Sequence, residues 1–236
     1  MFYSFAKMIV RPLLVIFWRP RIIGEEHVPA TGAVILASNH LAGADTVFMP
    51  CLVTRPVHFL AKADLLSRHT LFGRLLATVL ESLGVMPIER TGGSVSQAAI
   101  GTGLAVLREG KVLGIYPEGS RSPDGRLYRG KTGVARLALA AGCPVVPIAM
   151  RGTFEAQRGR RIVPRRHPRI EVLVGPAVDP SAVVAALPAG AGEGARFRAV
   201  TDAVMAAVQE LSGQETAPVY AAEEKRRLKG QRTSGR

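Results

Sequence analysis

The sequence predicts a single α/β domain in which a mostly parallel central sheet is flanked by helices. Two observations support this fold class. Short apolar runs alternate along the chain with stretches of helical periodicity, which is typical of strands joined by crossover helices. In addition, a chain of 236 residues with 47% apolar and 21% charged side chains is long and apolar enough to bury a substantial core.

The apolar runs and the periodic stretches locate the individual elements. The predicted strands are 33–37, 57–60, 85–88, 112–116, 145–149 and 170–174. The predicted helices are about 65–82, 96–109, 131–141 and 195–211, and residues 188–194 are predicted as a loop. We divide the chain into an N-terminal segment of residues 1–22, a domain of residues 23–212 and a basic tail of residues 213–236. The end of that tail is expected to be either a helical extension or disordered.

The N-terminal segment is apolar, but it has too few uninterrupted apolar residues to cross a membrane. Lys7 and Arg11 break it, and the charge-free run beyond them, residues 12–18, is far shorter than the roughly 20 residues that a spanning helix needs. Ser4, Lys7 and Arg11 recur at helical spacing and would form one polar stripe on an otherwise apolar helix. We therefore predict an amphipathic helix that lies in a membrane interface. A terminal helix packed on the protein's own core is the alternative.

The formal net charge of +13 is concentrated in three parts of the chain. Residues 1–24, 151–169 and 215–236 carry +4, +6 and +3, so the rest is neutral overall. Nucleic-acid-binding domains more often spread basic charge over a folded face among stacking aromatics, and aromatics are only 6% here. The distribution favours an anionic membrane surface as partner, and no nucleic acid. A basic membrane- or nucleic-acid-binding module without catalysis remains the alternative from another class of protein.

Several other kinds of site are disfavoured by the residue spacing. Cys51 and Cys143 are far apart, and the five histidines include no pair at i+3 or i+4, so neither a disulfide scaffold nor a metal site is expected. Residues 125–132 match the P-loop pattern, but Pro123 and Asp124 separate them from the preceding strand. A P-loop begins directly at a strand end, so this match does not indicate a nucleotide site.

A histidine and an aspartate follow the first strand of the predicted sheet. His40 comes two residues after Ser38, and Asp45 comes five residues after His40. On a continuous helix these side chains would be about 140° apart, so contact requires a turn, which Gly43 permits. If they meet, the carboxylate fixes the tautomer of the imidazole and makes His40 a positioned general base. The alternative is a histidine and a helix-capping aspartate that do not touch.

A second polar cluster follows the strand at residues 112–116. The segment 117–122 reads PEGSRS, in which Arg121 could hold a phosphate by a bidentate contact and Gly119 would allow its close approach. Arg90 follows another predicted strand and would point to the same sheet edge. The alternative is a surface turn with solvated arginines.

These segments together resemble the glycerolipid acyltransferases, a family that includes lysophosphatidic acid acyltransferase. Residues 39–45 (NHLAGAD) resemble the family's NHx4D motif, 84–90 (GVMPIER) its second block, 116–122 (YPEGSRS) its FPEGTRS block, 146–149 (VPIA) its closing block and 61–65 (AKADL) its AKxEL stretch. The blocks occur in the family's order, and the resemblance covers about residues 20–180. Tyr116, Ser120 and Glu89 depart from the usual Phe, Thr and Asp, but none of these changes removes a group that the chemistry requires.

The resemblance implies a reaction and a set of roles. A fatty acyl group would pass from an acyl-CoA or acyl carrier protein thioester to the free hydroxyl of 1-acylglycerol-3-phosphate (lysophosphatidic acid), giving phosphatidic acid for phospholipid biosynthesis. His40 would take the hydroxyl proton, and Asp45 would orient His40. The residues implied for the acceptor phosphate are Arg90, Glu118, Gly119, Ser120 and Arg121, with Lys62 and Lys131 as additional candidates.

The resemblance also implies that neither a cofactor nor a metal takes part, and that the enzyme is peripheral or monotopic on the cytoplasmic face of the cell membrane. Glycerol-3-phosphate or another lysophospholipid remains open as the acceptor. The ligand of the arginine-rich segment 151–169 is also open, with lipid headgroups and the phosphates of the acyl carrier as the candidates.

Overall fold

The computed structural model describes residues 2–62, 71–88, 95–158 and 161–234. Its strands are β1 (Arg21–Ile23), β2 (Val34–Ser38), β3 (Val57–Lys62), β4 (Val85–Ile88), β5 (Val112–Ile115), β6 (Leu127–Tyr128), β7 (Val145–Arg151), β8 (Glu171–Val174) and β9 (Thr216–Ala217). Its α-helices are α1 (Phe2–Trp18), α2 (Asp45–Leu52), α3 (Leu71–Ser82), α4 (Val95–Arg108), α5 (Gly133–Ala141), α6 (Thr153–Ala156), α7 (Pro180–Ala185), α8 (Glu193–Ser212) and α9 (Ala221–Ser234).

A seven-stranded sheet forms the centre of the fold, in the order β1-β8-β7-β2-β5-β3-β4. The five strands from β7 to β4 are parallel, whereas β8 runs antiparallel to β7 and pairs in parallel with β1. Strands β6 and β9 form a separate two-stranded parallel sheet. The predicted α/β fold with a mostly parallel central sheet is confirmed.

Helices cover both faces of the sheet. Val34 and Leu36 of β2 contribute to the core on the side of α1, α2 and α3, while Ile35 and Ala37 contribute to the core on the side of α4, α5 and α8. All five residues of β2 are buried. This burial explains why the strand has a continuous apolar run rather than alternating polar and apolar residues.

The predicted elements agree with the observed ones for the long helices, which have a clear apolar periodicity, and for the buried strands of the central sheet. The six predicted strands correspond to β2, β3, β4, β5, β7 and β8, and three predicted helices correspond to α4, α5 and α8. Helix α3 forms the second part of the predicted helix 65–82, of which residues 65–70 lie outside the described residues. Helices α2, α6 and α7 and the short strands β1, β6 and β9 have no counterpart among the predicted elements.

Helix α1 packs against α2 and α3 through a partly polar face. The Tyr3 hydroxyl donates to the Pro50 carbonyl (3.1 Å) and accepts from the Val57 N–H (3.0 Å). Lys7 donates to the carbonyls of Val53 and Thr54, and burial followed by the charge of Arg11 lowers its pKa. The predicted polar stripe therefore does not lie on one solvent face, because Lys7 turns toward the protein body.

The outward face of α1 is apolar. Its exposed large side chains are Phe5, Met8, Ile9, Leu13, Val15, Ile16 and Phe17. Contiguous apolar surface of this kind is uncommon on a soluble protein and marks an interaction surface. Within the described ranges, no helix combines the length and hydropathy needed to traverse a bilayer.

Candidate active site

Two neighbouring parallel strands bring the candidate residues to one edge of the sheet. β2 is followed by Asn39 and His40, and its partner β5 is followed by residues 116–122. β3 lies next to β5 and ends at Lys62, and β4 lies one strand further. Arg90, after β4, lies outside the described residues.

The carboxylate of Asp45 holds the imidazole of His40. Asp45 Oδ2 lies 2.9 Å from His40 Nδ1 and also accepts the backbone N–H groups of Leu41 (2.7 Å) and Ala42 (2.8 Å). Asp45 is fully buried, whereas the His40 side chain is 16% exposed. Because a carboxylate only accepts, Nδ1 carries the proton of the neutral imidazole and Nε2 keeps its lone pair.

The turn between His40 and Asp45 does not depend on the conformational freedom of Gly43. Gly43 does not adopt a positive φ, and a Cβ there would lie 3.5 Å from Gln157 Oε1, an ordinary contact distance. Asp45 is also not a capping residue, since it is the first residue of α2 and Ala44 precedes it as the N-cap. The turn is instead held by the Asp45 carboxylate itself.

Tyr116 stacks on the face of His40. The two ring centroids are 3.9 Å apart with an interplanar angle of 13°, and Phe59 continues the stack at 5.5 Å from Tyr116. Burial, followed by the charge of Asp45, raises the pKa of Tyr116 well above its usual value, so its hydroxyl stays protonated. The stack limits the orientations open to the imidazole ring, and a phenylalanine could serve the same purpose.

Glu118 holds the main chain of His40. Its fully buried carboxyl group accepts the N–H of His40 on Oε1 and that of Tyr128 on Oε2, both at 2.9 Å. The Ser122 N–H donates to the carbonyl of His40 at 2.7 Å. Glu118 therefore supports the wall of the candidate phosphate site from inside. Burial raises the pKa of the Glu118 carboxyl group to about 7, although the hydrogen bonds from the two N–H donors lower it.

Arg121 and Lys131 lie around the turn at Gly119, and both are exposed. Gly119 has a φ of 71°, and a Cβ at this position would lie 3.1 Å from Lys131 Nζ. Arg121 Nη1 lies 3.9 Å from the position that a Cβ on Gly43 would take, next to the loop of His40. In the described part of the chain neither cation forms an ion pair, so both are available to an anionic ligand.

Two amide side chains that the sequence analysis did not single out fix the surroundings. Asn39 is buried and exchanges hydrogen bonds with the backbone of Met150, 2.7 Å to its N–H and 3.0 Å to its carbonyl. Gln157 accepts the N–H of Ala44 (2.7 Å) and donates to the carbonyl of Ile162 (2.6 Å). Gln157 thus connects the arginine-rich segment to the loop of His40.

The described residues include no group of three or more His, Cys, Asp and Glu side chains placed to hold a metal ion. Cys51 and Cys143 are buried free thiols. Burial raises the pKa of Cys51 to about 12 and that of Cys143 to about 11, which makes both poor nucleophiles.

The fold is an α/β domain in which a hydrogen-bonded histidine–aspartate pair lies beside a cationic turn, where parallel strands end. The chain belongs to the acyltransferase family, because the family model described as Acyltransferase matches residues 19–151, more than half of the sequence. The resemblance found in the motifs is thereby confirmed.

Curated relatives share part of their length with this chain. It is 29% identical over 159 residues to a 1-acyl-sn-glycerol-3-phosphate acyltransferase of Borreliella burgdorferi, covering 64% of this chain and 62% of the relative. It is 26% identical to the Bacillus subtilis enzyme of the same name, covering 64% of this chain and 71% of that one. The match therefore spans just under two thirds of the first relative's length.

A solved structure has the same fold. The crystal structure of the 1-acyl-sn-glycerophosphate acyltransferase from Thermotoga maritima aligns with a TM-score of 0.64 and 20% sequence identity. The alignment covers 89% of this chain and 79% of the other.

The raised pKa of Glu118 predicts a pH dependence of stability. Between pH 4.5 and about 7 the folded state keeps a proton that the unfolded chain has released, so the free energy of unfolding should fall as pH rises, by up to about 3 kcal/mol. Glu118→Gln cannot titrate and should lack this decrease. Urea unfolding of both proteins across this pH range measures the difference.

The control is Glu223→Gln, which removes an exposed carboxyl group from the start of α9. This variant should follow the wild-type pH dependence. Parallel stability curves for the wild type and Glu118→Gln would show that Glu118 ionises normally in the folded protein.

Proposed function

We propose that the protein transfers a fatty acyl group from the thioester of acyl-CoA or acyl carrier protein to the free hydroxyl of 1-acylglycerol-3-phosphate, giving phosphatidic acid. The observation that carries the proposal is the hydrogen-bonded pair of His40 and Asp45 beside the unpaired cations Arg121 and Lys131. A base and an anion site at one sheet edge suit an acceptor that has both a hydroxyl and a phosphate. The names of the curated relatives support the same substrate.

His40 acts as the general base in this mechanism. Its Nε2 takes the proton of the acceptor hydroxyl, and the resulting oxygen nucleophile attacks the thioester carbonyl. The C–S bond then breaks, and the thiolate receives the proton from the imidazolium. Asp45 stabilises the imidazolium between these steps. The acyl group passes directly between two substrates, so the reaction needs neither a redox cofactor nor a resident metal.

Arg121 and Lys131 hold the acceptor phosphate in this proposal. A guanidinium can bind two phosphate oxygens in parallel, and the ammonium of Lys131 adds a point charge above Gly119. Arg121 belongs to the turn that Glu118 and Ser122 attach to His40, and the Lys131 N–H donates to the Pro117 carbonyl of this turn (2.8 Å). The phosphate is therefore bound at a fixed distance from the base. Arg90 and Lys62 are further candidates for the same role.

We also propose that the enzyme is attached to the cytoplasmic face of the cell membrane as a peripheral or monotopic protein. The support is the apolar outward face of α1 together with the basic segment that follows β7. The Trp18 indole donates to the Pro164 carbonyl (3.1 Å), and the Arg166 guanidinium lies 5.4 Å from the centre of the Phe17 ring. Apolar and cationic side chains therefore adjoin, as anionic lipid requires.

The catalytic assignment predicts a large loss of rate in two variants. His40→Ala should lower kcat with lysophosphatidic acid and acyl-CoA by about 10²- to 10⁴-fold, since the base is removed. Asp45→Asn should also lower kcat, because the amide cannot stabilise the imidazolium. The amide oxygen of the new side chain can still accept the backbone N–H groups of Leu41 and Ala42. Initial rates with labelled acyl-CoA and a panel of lysophosphatidic acid, glycerol-3-phosphate and other lysophospholipids measure both the mechanism and the acceptor.

His27→Ala provides a matched control. His27 Nδ1 lies 3.0 Å from the Val174 carbonyl at the end of the antiparallel strand β8, toward the opposite edge of the sheet. Its removal should leave kcat within about twofold of the wild type, the range of a neutral surface change. Full transferase activity in His40→Ala would refute the assignment, and a better rate with another acceptor would change the substrate.

The membrane proposal predicts that charged substitutions on the apolar surface weaken vesicle binding. Ile16→Glu and Val163→Glu replace side chains that are 67% and 63% exposed, and each should reduce binding to anionic phospholipid vesicles about tenfold or more. Vesicle sedimentation at fixed salt measures this change. Val219→Glu is the control, because Val219 is 41% exposed but lies beyond β9.

Equal binding by all three variants would contradict the proposed surface. Salt-sensitive binding to DNA that is stronger than binding to the vesicles would instead favour the nucleic-acid-binding alternative.

A further inference from the structure

The C-terminal part of the chain returns to the edge of the sheet that holds His40. Gln214 donates to the Gly125 carbonyl (2.6 Å) and accepts from Asn39, also at 2.6 Å. Beyond it, β9 pairs with β6, and the Arg129 N–H donates to the Val219 carbonyl (3.1 Å). The chain after α8 is therefore attached to the segment that follows the PEGSRS turn.

These contacts fix the start of α9. Ala221, Tyr128 and Ala217 form a small buried cluster. Glu224 is 7% exposed and binds Arg227 at 2.7 Å and Arg126 at 3.4 Å. The first two turns of α9 thus have a defined orientation against the turn at the active site.

Lys225 lies on the α9 surface that meets this turn. Its Nζ donates to Ser120 Oγ at 3.3 Å, and the side chain is half-buried. Burial, followed by the charge of Arg121, lowers the pKa of the Lys225 ammonium, while the charge of Glu118 partly offsets both effects. Among the described residues Lys225 forms no ion pair with a carboxylate.

Three cations therefore surround one turn, and none of them forms an ion pair among the described residues. Lys131 lies over Gly119, Lys225 contacts Ser120, and Arg121 follows directly in the chain. The charge of Arg121 lowers the pKa of the half-buried Lys225 ammonium, so these two like charges repel each other until an anion binds. Like-charge clusters of this kind mark binding sites, because a dianionic ligand converts the repulsion into attraction.

We propose that Lys225 binds the phosphate of the acceptor together with Arg121 and Lys131, and that it is a specificity-determining residue for phosphate-bearing acceptors. The proposal rests on the proposed function and adds a residue to it. Lys225 lies outside the residues 19–151 that match the family model, so the motifs do not include it. The basic C-terminal segment thus contributes to substrate selection as well as to the net charge.

The test compares Lys225→Ala with two other variants of the full chain. Lys225→Arg keeps the charge, and Arg226→Ala removes a neighbouring charge that is exposed and bonds within α9 to the Ala222 carbonyl (3.4 Å). Each protein is assayed with lysophosphatidic acid and with monoacylglycerol, which has no phosphate. Thermal unfolding is measured in parallel.

Lys225→Ala should raise KM for lysophosphatidic acid about tenfold while kcat changes less than about threefold, because it removes a charge-assisted contact to bound phosphate. KM for monoacylglycerol should not change. Lys225→Arg should restore most of the affinity, and Arg226→Ala should match the wild type.

The outcomes separate this inference from the proposed function. An unchanged KM in Lys225→Ala, while the wild type acylates lysophosphatidic acid, overturns the role of Lys225 and leaves the function intact. A fall in kcat or unfolding temperature without a change in KM identifies Lys225 as a structural residue and also overturns it. A wild type that does not acylate lysophosphatidic acid refutes the function and the inference together.

Discussion

The position of His40 depends on two buried carboxyl groups. Asp45 holds the imidazole ring, and Glu118 holds the backbone N–H of the same residue. Both carboxyl groups also accept further backbone N–H groups, and a buried polar group that loses its hydrogen-bond partner costs about 1–3 kcal/mol. Because the Ser122 N–H also binds the His40 carbonyl, the ends of β2 and β5 behave as one unit. The base and the cationic turn consequently keep a constant separation.

The charge of the chain is divided between two tasks in this account. The arginine-rich segment adjoins the apolar face of α1 through Trp18 and Arg166, which suits attachment to anionic lipid. The C-terminal segment places Lys225 beside Ser120, where it suits a substrate phosphate. Gln157 connects the first of these regions to the loop of His40, so the surface proposed for the membrane adjoins the site proposed for the lipid substrates.

The sequence predicts the sheet and the long helices because burial and periodicity are local signals. It does not predict α2, which is only eight residues long and contains Pro50, or the orientation of α1, since Lys7 turns inward to backbone carbonyls. The segments that follow β2 and β5 lie together as expected, because neighbouring parallel strands end at one edge of the sheet. Gln157 and Lys225 have no local signal: their partners lie 113 and 105 residues away in the chain, and only the folded structure brings them together.

The central claim is that Asp45 keeps the proton of His40 on Nδ1 and leaves Nε2 free to accept the acceptor's proton. Two-bond proton–nitrogen correlation spectra of protein with isotopically labelled histidine report the tautomer directly. Neutral His40 should have a protonated Nδ1 and an unprotonated Nε2 in the wild type, and a mixture of tautomers in Asp45→Ala. A proton on Nε2, or the same spectrum in both proteins, would contradict it.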